Sequence, residues 1–541
     1  MPKNVFNILA PAGGLYKRRS YQDHPPFTTP DCSNVWLDDT IDGRERVGSR
    51  SGFTKLADAP NDGIDKIRCL TSVSWLTSDT PAVRKNTIVA VEGTNIIYSH
   101  DNGANWANAT GETDVDAPVE YGPLVACALH QKVYIGDSNA AGTGQCKVLD
   151  PSTGAATQLS SGATGTTPLN CNIAIRYRDR LLLTGQTYVN TTSGIEASGH
   201  QWHMSRSGAP RDWDYTQTDV LSAVAGFNAS AGALAEPIHA AIPHGDDCII
   251  FGCSDSIWTL RSDPNFGGSL DNLSERTGIV GRNAWCRSPE GWLFFLTQDG
   301  VMVMPPGCGD APRSISRERL PSDLMFVDAM DPLDKWVSMA YDAKLRGVHL
   351  WVTDHSDGAD STHYWLDTKQ VLTHDGGNVA SFWPVSLGDT NDDPYSAHAY
   401  EGIGSTTKSD VILGTRDGDF NVLDSSVALE SGATSYVDIG PLSTTARRGS
   451  YLSGRLDQLN AVLANTSGTV TYEIRTGESP EAACDGAIVR SGTWTKQHSL
   501  IRPRIRGPYF VIRLKGDASV EWAFENITAL TEERGKMRYQ S

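Results

Sequence analysis

The residues of this chain best suited to chemistry by type and spacing are His239, His244, Cys248 and Cys253, four metal-capable side chains within one short stretch. Imidazoles and thiolates of this kind hold zinc when they come as paired, closely spaced ligands. No Cys-x-x-Cys pair occurs here, and the four fall in β-prone runs, so they read as strand residues that each carry a thiol or an imidazole. Carboxylates invite the next question, since glycoside hydrolysis needs two of them flanking the scissile bond at a defined separation. Glu236, just before Pro237, is a candidate, but nothing in its surroundings marks a partner, and a solvated strand-end carboxylate is the preferred reading. His203, His239, His244, His349, His363 and His398 lie in or beside apolar runs, where a hydrogen-bonded structural histidine is the simpler reading. No Gly-x-x-x-x-Gly-Lys-[Ser/Thr] loop is present for nucleotide phosphates. The sequence therefore predicts no catalytic residue, no metal site and no cofactor, and a protein that is not an enzyme.

One short motif has recognisable local physics. Ser99-His-Asp101-Asn-Gly103-Ala-Asn-Trp106 fits the Asp-box pattern Ser-x-Asp-x-Gly-x-x-Trp found in sialidase-type propellers. In such a turn the carboxylate caps backbone N–H groups, glycine takes a positive-φ corner and the indole folds over the sheet. The box is a structural sign of a blade and lies away from any catalytic face.

The elements that must carry these residues are strands. Tyr177-Arg-Asp-Arg-Leu, Ile238 to Phe251, Ser256 to Leu260 and Gly291 to Met304 share one grammar, an apolar run beside an Asp/Gly or Arg/Asp turn. Clusters of this type recur over Ile67–Tyr98, Leu124–Val148, Ile173–Met204, Ile238–Leu260, Trp285–Met304, Trp336–Leu366 and Ala397–Leu423. A period of roughly 40 to 50 residues is that of propeller blades. The expectation is an all-β chain: a propeller of about seven blades over 61–440, with six or eight also compatible. Residues 1–60, with Pro25, Pro26, Pro30 and the Asp42-Gly43 turn, read as an extended arm that adds strands elsewhere. Residues 441–541 alternate apolar and polar positions and read as a β-sandwich. Ser152–Thr167 and Ser222–Ala235, rich in small residues, are expected to be loops between blades.

Composition narrows the function further. With 541 residues, 52 glycines and 8% aromatics, the chain suits several turn-rich β domains. The ten cysteines are scattered and read as reduced, strand-embedded thiols. No apolar run is long enough to span a bilayer, so no membrane insertion is expected. Lys and Arg total 46 against 64 Asp and Glu, a net charge of -18, which argues against a sequence-specific nucleic-acid binder. The same charge serves either plain solubility or a channel wall that a polyanion must slide past without sticking.

Several phrases, taken in order, resemble the tail nozzle (tail tubular) and hub proteins of short-tailed bacteriophages. They include Gly13-Gly-Leu, Pro30-Asp-Cys-Ser-Asn-Val-Trp, Asp42 to Phe53, Ser205-Arg-Ser-Gly-Ala-Pro-Arg-Asp-Trp-Asp, Thr277-Gly-Ile-Val-Gly, Leu293 to Val301, Arg506 to Leu514 and Glu521 to Thr528. The resemblance implies a structural virion protein, assembled in the host cytoplasm. It implies a homo-oligomeric ring, six-fold in that family, below the portal adaptor and above tail fibre or needle proteins, around viral DNA that passes non-specifically. It also implies that the arm and the C-terminal sandwich together form a platform; that loops at the distal end close the channel until host contact is a further hypothesis. Arg18, Arg19, Arg447, Arg448, Arg502, Arg504, Arg506 and Arg538 lie in those two parts. They are the candidate interface residues, suited to bidentate pairing with acidic neighbours. The rival reading is a propeller glycosidase or lectin acting on host surface glycans; a receptor-binding spike is disfavoured because no shaft-like repeat is present.

Overall fold

The computed structural model describes residues 3–61, 65–115, 122–139, 142–186, 189–190, 194–195, 199–226, 231–307, 309–317, 319–320, 335–354, 361–369, 380–401, 409–424, 426–444, 452–495 and 498–536. Nearly all regular structure is antiparallel β-sheet, and seven of the sheets have the four-strand order of propeller blades, one of them extended by a short fifth strand.

Short turns of defined handedness generate the blades. In blade 3, Cys171–Tyr177 and Arg180–Gln186 pair with Tyr177 opposite Arg180. The two turn residues between them, Arg178 and Asp179, both have positive φ (45° and 62°). That is the type I′ geometry whose twist matches the strands it joins. His130 and Gln131 do the same between Ala126–Leu129 and Lys132–Ile135 of blade 2. Blade 4 runs Ile238–His244, Cys248–Cys253, Ile257–Arg261 and Ser269–Ser274, and blade 5 opens with Trp285–Arg287, Leu293–Thr297 and Gly300–Met304.

The first strands touch in order from blade 1 (Ile67–Leu76) to blade 4 and from blade 5 to blade 7 (Pro394–Glu401). Blades 4 and 5 meet where Arg287 Nη1 donates to the Pro243 carbonyl at 3.4 Å, first strand to first strand. Blade 7's first strand then touches blade 1's, so the ring is closed.

Blade 7 takes only three strands from its own stretch of chain, and its fourth is Gly52–Asp58 from the arm, paired along Asp419–Asp424. The arm also supplies edges to the other domain. Lys3–Leu9 pairs with Phe524–Lys536, and Cys32–Ser33 pairs with Ser435–Ser443. These complete two five-stranded sheets, the second continuing through Tyr509–Gly516, Val470–Gly477 and Ile488–Trp494. Ser435–Ser443 straddles residue 441, where composition had placed the start of the sandwich.

Two segments expected to be loops contribute strands. Ala155–Gln158 is the outer ladder of blade 2, and Val224–Ala225 ends blade 3. Both lie at blade edges, where small residues cost little packing, and Ala156 and Ala225 are buried. Residues 227–230 fall outside the described residues.

The ring seam is where the Asp box lies. Trp106 stacks on Phe420 of blade 7 at 3.9 Å between centroids. A Cβ on Gly103 (φ 86°) would meet Leu56 of the arm strand at 2.5 Å. Phe420, Tyr400, Ile412, Ile88 and Ile97 form one buried cluster across blades 7 and 1. Phe420→Ala should therefore cost about 3–5 kcal/mol. Chemical denaturation checks this, and a loss below about 1 kcal/mol would show that the seam is not a cooperative part of the fold.

Candidate functional site

The residues singled out by chemistry do not converge. His239 Nε2 sits 3.4 Å from Ser254 Oγ, whereas His244 Nε2 is 3.1 Å from the Pro305 carbonyl. Cys248 is disulfide-bonded, a correction to the expectation of reduced thiols throughout; among the described residues the eight other cysteines are free. Among the described residues no cluster of His, Cys, Asp or Glu has metal-holding geometry. Glu236 accepts from the Asp255 amide (3.1 Å) and Ser256 Oγ (3.0 Å), so it caps a turn of blade 4 and is not merely solvated.

The other histidines are built into packing. His349 lies beside Trp36, Trp351 and Trp365, His363 pairs with Asp393 at 3.0 Å, and His398 meets Ser72 at 2.9 Å. Burial pushes His203, which sits 3.3 Å from the Tyr215 hydroxyl, down to about 4.

In the Asp box, Ser99 Oγ donates to Asp101 at 2.8 Å and accepts from the Gly103 amide at 2.9 Å, while Asp101 accepts from the Asn105 amide at 2.9 Å. The Ser99 hydroxyl and the Asp101 carboxylate both serve the turn. Burial opposes the Asp101 charge, but these bonds outweigh it and hold the carboxyl below its ordinary range.

Of the interface arginines, Arg447, Arg448 and Arg538 lie outside the described residues. Arg18 and Arg19 are exposed, between buried Tyr16 and the turn Tyr21–Asp23, which rests against the short helix Pro480–Cys484. Arg502, Arg504 and Arg506 are exposed at alternate positions. Arg504 has φ 54°, and Ile505–Gly507 pairs with Leu452–Leu463 so that Arg506 stands opposite Arg455. Arg455 is already neutralised by Asp457 and Glu532. The two arginine groups flank different sheets of the sandwich, and the described residues show no contact between them.

Sequence reasoning missed the strongest polar assembly, where arm meets sandwich. Arg513 grips Asp438 and also donates to Asp31 of the arm at 2.7 Å. Its guanidinium lies 4.2 Å from the Tyr436 ring, and Tyr436 donates to Asp31 at 3.3 Å. Burial acts against the Arg513 charge, but its bonds to Asp438 raise the pKa above the ordinary value. Asp31 lies hundreds of residues from its two partners, and its place in the Pro-Asp-Cys-Ser phrase of the arm was the hint in the sequence.

Among the described residues no helix is long and apolar enough to cross a membrane. No family model matches the sequence, and no curated protein matches it. Among solved structures the chain is similar to BBS1N in complex with ARL6DN, at 11% identity over 70% of this chain and 100% of that one, with a TM-score of 0.37. It is similar to a chain of the mitotic checkpoint complex at 10% identity over 68% and 94%, TM-score 0.38. The N-terminal domain of Nup159 gives 10% identity over 69% and 94%, TM-score 0.34. These scores are low, and the β-propeller assignment rests on the sheet order described above and not on them.

Two outcomes follow. Arg513→Met takes from buried Asp438 its closest cation, leaving Arg475 at 3.7 Å, and should cost about 2–4 kcal/mol in denaturant melts, whereas Arg502→Met should change stability by less than about 0.5 kcal/mol. The second concerns His203, whose depressed folded pKa means that the unfolded chain takes up the proton first. Its contribution is complete above pH ~6.5 and falls away toward pH 4, by about 3 kcal/mol. Melts across that range should show a slope to which buried His398, also held down to about 4, adds a like share, and His203→Gln should make it shallower by the His203 part alone.

Proposed function

We propose that this chain is a structural, non-catalytic virion subunit: a tail nozzle or hub protein that assembles as a homo-oligomeric ring beneath a portal adaptor and surrounds the path of ejected DNA. The phage-like phrases at both ends and in the middle of the sequence support this reading. So does the fate of the chemistry-bearing residues, which are engaged in turns and packing.

The observation that carries the proposal is the state of the sandwich edges. Ile488–Trp494 is an edge strand whose first six residues are exposed or half-exposed. Ile488 (50% exposed) and Val489 (53%) lie on it, and Val5 (65%) and Leu9 (51%) lie on Lys3–Leu9, an edge of the other sheet. Open edges bearing apolar side chains are a liability in an isolated molecule and are suited to pairing between subunits. Arg502, Arg504 and Arg506 add exposed cations on the side of that sheet away from Lys3–Leu9, in a chain of net charge -18, so charge complementarity with an acidic neighbour supports the same reading.

In this reading the propeller is a rigid spacer, the arm and sandwich form the subunit-to-subunit and adaptor-facing platform, and net negative charge limits adhesion of DNA to the wall. Six-fold order comes from the resemblance alone.

Native mass measurement of the purified protein, alone and with a portal adaptor, tests the proposal. A closed ring of about six copies is expected, weakened by Arg502→Glu, Arg504→Glu and Arg506→Glu together. A stable monomer under both conditions, or turnover of host-surface glycans by that monomer, would overturn it.

A further inference from the structure

Arg282 stands just before the first strand of blade 5, yet its Nη1 donates to the carbonyl of Pro123 at 2.7 Å, in the connector between blades 1 and 2. Blade 5 and that connector are not neighbours in the ring, being separated by other blades in either direction. A hydrogen bond between them must cross the interior, so the Arg282 guanidinium lies on or near the propeller axis. The starts of the first strands all lie at one end of a ring of antiparallel blades, which places this crossing at that end.

A second guanidinium is fixed beside it. Arg68, at the start of blade 1's first strand, is fully buried and donates through Nε to the carbonyl of Gly122 at 3.1 Å and through Nη1 to Gly93 at 2.9 Å. Consecutive carbonyls, Gly122 and Pro123, thus hold two cations side by side. Among the described residues Arg282 has no carboxylate partner, and Nη1 is its one hydrogen-bonded nitrogen. It keeps part of its surface open although protein encloses it, which is how a side chain facing an internal space differs from one facing bulk water. His239, on blade 4's first strand, borders the same space and feels the Arg282 charge. The nearby carboxylate Glu236 is turned to the backbone of its own hairpin.

The setting is cationic in an acidic protein. At the end where the first strands begin they carry Arg68 and Lys335 and no carboxylate, while Arg176, Arg287, Asp342 and Glu401 lie toward the other end, in a chain whose net charge is -18. Burial, and then the Arg68 charge, lower the Arg282 guanidinium to about 10. An enclosed, unneutralised guanidinium is costly, and a bound anion is what relieves it.

We infer that Arg282, bordered by Arg68 and His239, forms an axial site for a small phosphate-type oxyanion at the end of the propeller where the first strands begin. The free Nε and Nη2 edge of Arg282 offers the parallel donors that bidentate recognition of phosphate uses. The site stands on the propeller alone and is independent of the ring proposed above.

Calorimetric titration of the full chain with inorganic phosphate, in chloride buffer at constant ionic strength, tests the inference. Saturable binding at one site per chain is expected. Arg282→Met should weaken it by at least about tenfold, and Arg282→Lys, which keeps the charge but not the fork, should lie between. Arg176→Met, which removes an exposed cation from blade 3's first strand, should bind as the unaltered protein does. Absence of saturable binding, equal binding by Arg282→Met, or an equal loss with Arg176→Met would overturn the site. Should the methionine variant fail to fold, Arg282→Lys decides the matter: weaker binding supports the site, and binding as tight as that of the unaltered protein overturns it.

Discussion

The structure depends on one pairing: Gly52–Asp58 against Asp419–Asp424. Blade 7 has no fourth strand downstream of Asp424, so without the arm its edge would be open and the seam with blade 1 would lose Leu56. Just before that strand lies a buried junction that fixes where it begins. Asn34 Oδ1 accepts from Arg50 Nε and from the Ser386 amide, each at 2.9 Å, and Asn34 Nδ2 reaches the Thr434 carbonyl at 2.9 Å. Arg50, with no exposed surface, pairs with Glu430 on the way into the sandwich. One Asn–Arg pair therefore ties blade 6, blade 7 and the sandwich together. Arm residues Leu15, Val35, Trp36 and Val47 join an apolar core that runs from blades 4–7 into the sandwich. The two domains are packed through the arm and not merely linked by it.

Much of this was legible in the sequence, for a physical reason: the propeller is written in local terms. A hairpin such as Tyr177 to Arg180 is specified by its own turn residues and alternating apolar positions, and repetition of that pattern suggested about seven blades, with six or eight open until the sheets were counted. The arm was legible only as something that pairs elsewhere. Its proline-rich, extended composition says that it does not fold alone, but the partners of Gly52–Asp58 and Cys32–Ser33 lie hundreds of residues away, and no local signal names them. The small-residue stretches misled for a related reason. Ala155–Gln158 has little β-propensity of its own and is a strand because the neighbouring ladder is already in place.

The candidate functional residues divide in the same way. The Asp box was readable because the bonds of Ser99 and Asp101 stay within the turn, yet its placement on the ring seam came from tertiary contacts, Trp106 on Phe420 and the Tyr400 hydroxyl on Asn102. The arginine list captured exposed side chains at 18, 19, 502, 504 and 506 but passed over Arg50, Arg68, Arg282 and Arg513, which the fold encloses. Charge on a strand cannot be told from charge at a buried junction until the partner segment is placed. In an acidic chain, the cations that matter most to the architecture are the ones withdrawn from solvent.

Hydrogen exchange of the native protein, resolved to the segment Gly52–Asp58, is the most direct measure of whether the arm closes the propeller. Its amides should exchange at the rate of Asp419–Asp424, the strand they pair with, through global opening of the fold. Rapid exchange of Gly52–Asp58 while the rest of blade 7 remains protected would contradict the account, because the ring would then stay closed without the strand on which it is said to depend.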